Sequence, residues 1–227
     1  MQVRAALFDL DGTLVEFKVD YNLGRRMILQ FAGGRGYDME GQTEDRNMHD
    51  IIEHYSLIGD ESAHADVRRY AYDLMERLEV VGASETRPFP DTLPALQALR
   101  QGGLKMGIVT NSARKAVEIV MGRYPLGPFF DVITTRDDVT VIKPDPGIVH
   151  FTIHALGVGS DECFFVGDAP GDVQAAKSCR IVSVGIPRGA ASKEALLSAR
   201  PDYLIESLDC LPDLVANLKA QDQKHLS

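Results

Sequence analysis

The stretch "ALFDLDGTLV", residues 6–15, decides how the rest of the chain is read. Six of its ten residues are apolar, as in a strand buried on both faces, yet Asp9 and Asp11 interrupt it and Gly12 follows. Alternate residues of a strand share a side, and a glycine lets the chain turn sharply. The strand therefore delivers two carboxylates at its end. An Asp-Gly turn explains Asp11-Gly12 but leaves Asp9 unexplained. An EF-hand loop fails, because no third oxygen ligand and no closing glutamate follow at the required spacing.

Similar apolar runs recur along the chain: "KMGIVT", "FDVITT", "CFFVGD", "IVSVGI" and "DYLIE". Their length and their Val, Ile and Phe content suit strands of a parallel sheet covered on both faces. Helix-period segments lie between them. Asp91 is placed to cap "TLPALQALRQ", which stops at Gly102-Gly103. Ser112 is placed to cap "ARKAVEIVMGRY", and Pro144 or Pro146 to open "GIVHFTIHAL", which ends at Gly157. Strands alternating with helices imply an α/β fold with an open, doubly wound, mostly parallel sheet.

Residues 16–87 break that rhythm. They offer helical patterns such as "NMHDIIEHYSLI" and "HADVRRYAYDLMERLEVV" and no convincing buried strand. The proline-rich "ETRPFPD" closes the region as an extended linker. The expectation is a core made of residues 1–15 and 88–227, with 16–87 inserted as a helical cap, a lid for the sheet edge. A helical layer of the main core is the plainer alternative.

Length and charge limit the function. A chain of 227 residues suits one large domain, or one domain with an insert. A formal net charge of −9, with no basic run, argues against nucleic acid or an anionic membrane as partner. Three widely spaced cysteines, Cys163, Cys179 and Cys210, form neither a zinc pattern nor a disulfide framework. Buried free thiols in a reducing cytoplasm are expected. The opening "MQVRAALFDL" is too short in apolar residues for a signal peptide.

In an open α/β sheet, ligands bind beyond the carboxyl ends of the strands. The residues that end each run are Asp9 and Asp11, then Thr110, Asn111 and Ser112, then Asp168, with Asp172 shortly after in "GDAPGD". Lys143 precedes Pro144 in the loop after "DDVTVI". Two carboxylates about 5 Å apart repel by roughly 3 kcal/mol at an effective dielectric of about 20. Four of them with one ammonium must hold protons or a cation. An all-oxygen set beside a phosphate favours Mg2+ over zinc. Asp9 can then attack phosphorus, and Asp11 can move the proton of the leaving oxygen and then of a water. Thr110, the Asn111 amide and Lys143 can neutralise phosphoryl oxygens.

These ordered motifs, "FDLDGT", "VTNS", "FFDVITTRDDV", "KPDP" and "FFVGDAPGDVQAA", span nearly the whole chain. The chain resembles the haloacid dehalogenase-like hydrolases, in the phosphoglycolate-phosphatase-like branch that carries a helical cap. The resemblance implies a Rossmann-like core, Asp9 as nucleophile and Asp11 as general acid/base. It implies Mg2+ held by Asp9, the Asp11 backbone carbonyl and Asp168, with Asp172 supporting the metal shell or orienting Lys143. Thr110, Asn111 and Lys143 match its phosphate-binding positions. True dehalogenases lack the second acid of the first motif, so Asp11 favours phosphoryl chemistry. Ala169, Cys179-Arg180 and Glu16-Phe17 depart from common family choices and bear on substrate rather than reaction class.

The expected activity is a Mg2+-dependent phosphatase acting on a small phosphorylated metabolite, as a monomer or homodimer. A sugar-phosphate mutase of the same superfamily, or a non-catalytic phosphate-binding module, are the alternatives. His150 and His154 sit four apart in "HFTIH" but lack a third ligand, so ordinary surface or partly buried histidines are expected. Arg25, Arg26, Arg46, His49, His54, Arg68 and Arg69 are expected on solvated helix faces.

Overall fold

The computed structural model describes residues 2–37, 51 and 61–225. The chain divides into two compact units, Met1–Phe17 with Thr86–Ser227, and Lys18–Glu85. The first unit holds six parallel strands: β1 (Ala5–Phe8), β2 (Lys105–Val109), β3 (Val132–Thr134), β4 (Cys163–Gly167), β5 (Val182–Gly185) and β6 (Tyr203–Leu204). Their spatial order is β3-β2-β1-β4-β5-β6. The chain builds outward from β1 to β3, then restarts on the other side of β1 with β4. The β1/β4 junction is thus where the winding reverses, the place at which such sheets bind ligands.

The helices follow in chain order: α1 (Tyr21–Gly34) and α2 (Glu61–Glu85) in the second unit, then α3 (Thr92–Gln101), α4 (Arg114–Arg123), α5 (Gly147–Leu156), α6 (Pro170–Ser178), α7 (Lys193–Ser198) and α8 (Leu211–His225) in the first. The continuous apolar runs of the central strands make sense once both faces are seen to be covered. On one face Ala5, Leu7, Cys163 and Phe165 pack with Ile148, Val149, Ile153 and Leu156 of α5 and with Ala175 and Ala176 of α6. The alternating residues Ala6, Phe8, Phe164 and Val166 point the other way and are also fully buried. There Phe8 meets Phe130 edge-on, with ring centroids 6.3 Å apart.

Parallel register brings the strand ends level. Phe8 stands opposite both Ile108 and Val166, so the residues after each strand emerge together. The Asp9 amide still donates to the Val166 carbonyl at 2.9 Å, and the Thr110 amide to the Thr134 carbonyl at 3.1 Å. These bonds fix the backbone where the candidate side chains begin.

In the second unit, α1 starts at Asp20, whose carboxylate accepts from the Leu23 amide at 2.8 Å. Ile28, Leu29 and Ala32 pack against Val67, Ala71 and Leu74 of α2, and the Phe31 and Tyr70 rings stack at 4.0 Å. The helical pattern expected over residues 47–58 lies outside the described residues except for Ile51, as do Arg46, His49 and His54. Among the described residues no helix is long and apolar enough to cross a membrane.

Two helix caps differ from expectation. Asp91 precedes α3 but makes no side-chain cap bond, because its carboxylate is taken by Arg188, Ser207 and the Leu208 amide. Ser112 does not cap α4; Ala113 holds that position, and the Ser112 hydroxyl turns to Asp11. In both cases a distant partner outcompetes the local backbone. The α5 helix does begin after Pro146 and end at Gly157.

Candidate active site

The ends of β1 and β4 bring Asp9 and Asp168 side by side, and the first turn of α6 adds Asp172. One oxygen from each of the three carboxylates lies within 4.8 Å of the others, and all three residues are buried. Lys143 enters from the loop before α5. Its ammonium donates to Asp9 Oδ1 at 2.6 Å and to the Val109 carbonyl at 2.8 Å, and it pairs with Asp172 Oδ1 at 2.7 Å. All three of its protons are thereby directed, so the charge is held at one point.

The acids feel this crowding. Burial pushes the Asp9 carboxyl up to about 7; Lys143 opposes that, while Asp172 and Asp11 add to it. Asp168 is raised well above the usual carboxylate range by burial and by Asp9 and Asp172. For Lys143, burial pulls downward but the Asp172 and Asp9 carboxylates outweigh it, and the ammonium stays charged far above neutral pH. When all four groups are ionised, three negative charges face one positive. A hard divalent cation fits this donor set: buried, all oxygen, and short of positive charge.

Asp168 is confined on both sides. Its Oδ1 accepts from the Thr13 hydroxyl at 3.1 Å. Gly12 turns with φ +86°, and a Cβ there would lie 2.7 Å from Asp168 Oδ2. Only glycine serves at such a φ and such a distance. This accounts for the glycine that follows Asp11 in the opening stretch.

Asp11 stands apart from the three-carboxylate group. Its Oδ2 accepts from Ser112 Oγ at 2.6 Å. Burial raises its carboxyl, with Ser112 and Lys143 opposing. The sequence places Ser112 at this sheet edge and as a helix cap but assigns it no catalytic partner, so its bond to Asp11 is a feature that local sequence did not signal. Thr110 is buried, and its hydroxyl accepts from the Ser112 amide at 3.1 Å.

Asn111 reaches Lys143 rather than open space. Its side-chain amide donates to the Lys143 carbonyl at 2.9 Å, and its Oδ1 accepts from the Lys143 amide at 3.0 Å. This reciprocal pair ties the end of β2 to the residue that carries the ammonium. Asp172 is held likewise: the Ala169 amide donates to its Oδ2 at 3.0 Å, leaving Oδ1 to Lys143. Asp9, Asp11, Thr110, Asn111, Lys143, Asp168 and Asp172 are therefore linked or adjacent at one sheet edge. His150 and His154 are exposed on α5 and are not part of the three-carboxylate group.

Residues 3–180 match the haloacid dehalogenase-like hydrolase family, and the chain belongs to it. Among curated proteins it is similar to the pyrophosphatase PpaX of Bacillus velezensis, with 29% identity over 92% of this chain and 95% of that one. A phosphoglycolate phosphatase of Pseudomonas fluorescens is 27% identical over 90% of this chain and 77% of its own length. Among solved structures, a haloacid dehalogenase-like phosphatase from Thermococcus onnurineus is 30% identical, with a TM-score of 0.60 over 94% of this chain and 98% of that chain. The protein is thus a hydrolase of this family.

Proposed function

We propose that the protein is a Mg2+-dependent phosphatase that hydrolyses a small phosphomonoester through an aspartyl phosphate on Asp9. The observation that carries this reading is the convergence of Asp9, Asp168 and Asp172 within 4.8 Å around a single ammonium. Mg2+ would be held by Asp9, the Asp11 backbone carbonyl and Asp168, and would supply positive charge opposite the phosphoryl oxygens. Asp172 keeps Lys143 in place.

The steps belong to the chain's own groups. An Asp9 carboxylate oxygen forms a bond to phosphorus as the bond from phosphorus to the ester oxygen breaks. Asp11, whose carboxyl is raised by burial, gives its proton to that departing oxygen. Asp11 then takes a proton from water, the water oxygen bonds to phosphorus, and Asp9 leaves with both oxygens intact. Ser112 fixes the direction of Asp11 throughout. Lys143 sits beside the oxygen of Asp9 and offsets charge that builds on the phosphoryl group, helped by Thr110 and the Asn111 backbone amide. Burial of these groups strengthens each electrostatic contact.

The test is a phosphate-release screen over metabolites with Mg2+ present. The panel includes phosphoglycolate and pyrophosphate, the compounds in the relatives' names, along with sugar phosphates and nucleotides. Asp9→Asn should abolish turnover on every substrate that the wild type accepts, while far-UV circular dichroism stays unchanged. Full activity in that variant would remove Asp9 as nucleophile, and isomerised product without free phosphate would point to a mutase.

A further inference from the structure

Arg188 lies in the loop after β5, and two routes join it to Asp168. In the first, its guanidinium Nη2 donates to the Thr13 carbonyl, while the Thr13 hydroxyl donates to Asp168 Oδ1 at 3.1 Å. In the second, its neighbour Gly189 packs so near that a Cβ there would stand 1.7 Å from Asp168 Oδ2. A Cβ on Gly12 would meet that same oxygen and the Gly189 Cα, each at 2.7 Å. The Asp168 carboxylate is therefore walled between two backbone segments, one ending in Thr13 and one beginning with Arg188.

Arg188 is itself gripped. Its Nη1 donates to Asp91 Oδ1 at 2.8 Å and to Oδ2 at 2.6 Å, and its guanidinium lies 4.0 Å from the Phe89 ring centroid. Asp91 Oδ2 also accepts from Ser207 Oγ at 2.8 Å and from the Leu208 amide at 2.9 Å. The two side chains are only 16% and 12% exposed. Burial works against the Asp91 charge, but the bonds from Arg188, Leu208 and Ser207 prevail and hold its carboxyl below the usual range. A largely buried ion pair contributes little stability beyond what an apolar pair of similar size would give. What it does supply is a fixed position for the atoms it touches, and those atoms border Asp168.

We propose that Arg188 is a positioning residue for Asp168: clamped by Asp91 and Phe89, it holds the Thr13 carbonyl and the Gly189 backbone so that the carboxylate faces Asp9 in a shape ready for the metal ion. This rests on the assignment of Asp168 as a metal-binding group made under the proposed function. Residues that orient metal ligands typically change metal affinity by about 10- to 100-fold when removed.

The experiment is a calorimetric Mg2+ titration of the substrate-free full chain. Arg188→Gln should weaken Mg2+ binding about tenfold. Thr13→Val, which deletes only the hydroxyl link, should weaken it in the same direction. Arg188→Lys, which keeps the charge without the planar fork, should fall between wild type and Arg188→Gln. Turnover lost in these variants at low Mg2+ should return as Mg2+ is raised, with substrate KM unmoved, a split that general loosening of the fold would not produce. Should Arg188→Gln fail to fold, Thr13→Val and Arg188→Lys carry the test. Unchanged Mg2+ affinity in the folded variants, with the wild type binding normally, overturns the clamp alone. Absence of Mg2+ binding by the wild type overturns both the clamp and the metal assignment beneath it.

Discussion

Replacing Asp9 with Asn should make the metal-free protein more stable at neutral pH, although the residue sits at the centre of the site. The Asp9 carboxyl is raised from its ordinary 3.8 to about 7, chiefly by burial. Below pH 3.8 both the folded and the unfolded chain hold this proton, so there is no penalty. Between 3.8 and about 7 the unfolded chain has released it and the folded chain has not, so stability falls as pH rises. Above about 7 the penalty is complete. The gap spans roughly three pH units at about 1.4 kcal/mol each, or at most about 4 kcal/mol. Asp168 competes for the same proton, which brings the expected difference to about 2–4 kcal/mol. Asparagine keeps the shape without the charge and escapes the penalty.

Urea unfolding with EDTA, followed by far-UV circular dichroism because the chain has no tryptophan, measures this between pH 4 and 8. Wild type and variant should be nearly equal at pH 4, and the variant should lead by about 2–4 kcal/mol at pH 7.5. Comparing the two proteins at each pH cancels the acid sensitivity of other carboxylates such as Asp131 and Asp138, which are held below the usual range. Saturating Mg2+ should close or reverse the gap, since the proposed metal site loses a ligand when Asp9 becomes asparagine. A gap that does not change with pH, or a variant less stable than wild type at pH 7.5 without metal, would refute the charge reasoning.

Three other outcomes are expected. Ser112→Ala deletes the 2.6 Å bond to Asp11 and should lower kcat about tenfold with KM little changed, as steady-state kinetics on any accepted substrate will check. Asn111→Ala removes both bonds that tie Lys143 to β2; it should destabilise the fold by about 1–3 kcal/mol in urea and raise the inhibition constant of inorganic phosphate. Thiol titration at pH 8 should modify only the exposed Cys210 in the folded protein, because burial pushes Cys163 up to about 12 and Cys179 up to about 11; urea should release the other two.

Much of the fold was legible from local pattern. The six apolar runs became the six strands, because a strand covered on both faces must be apolar at consecutive positions, and that demand is written in each short segment. The polar residue that ends each run was equally plain, since a carboxylate in such a segment is costly unless it has work at the strand end. Glycine and proline marked the limits of α3 and α5 for the same local reasons. The caps were misjudged where a residue able to cap locally found a stronger partner far away. Nothing near Asp91 in the chain announces Arg188.

The sequence alone determined the α/β alternation, the family, and the set of acids that had to meet, because periodicity and side-chain chemistry act over a few residues. Tertiary structure decided which groups hold those acids in place. Ser112 reaches Asp11 across 101 positions, Thr13 reaches Asp168 across 155, and Arg188 reaches Asp91 across 97. Such pairings depend on where the packed strands and loops place each backbone, and a hydrogen bond is sensitive to a few tenths of an ångström that no local pattern encodes.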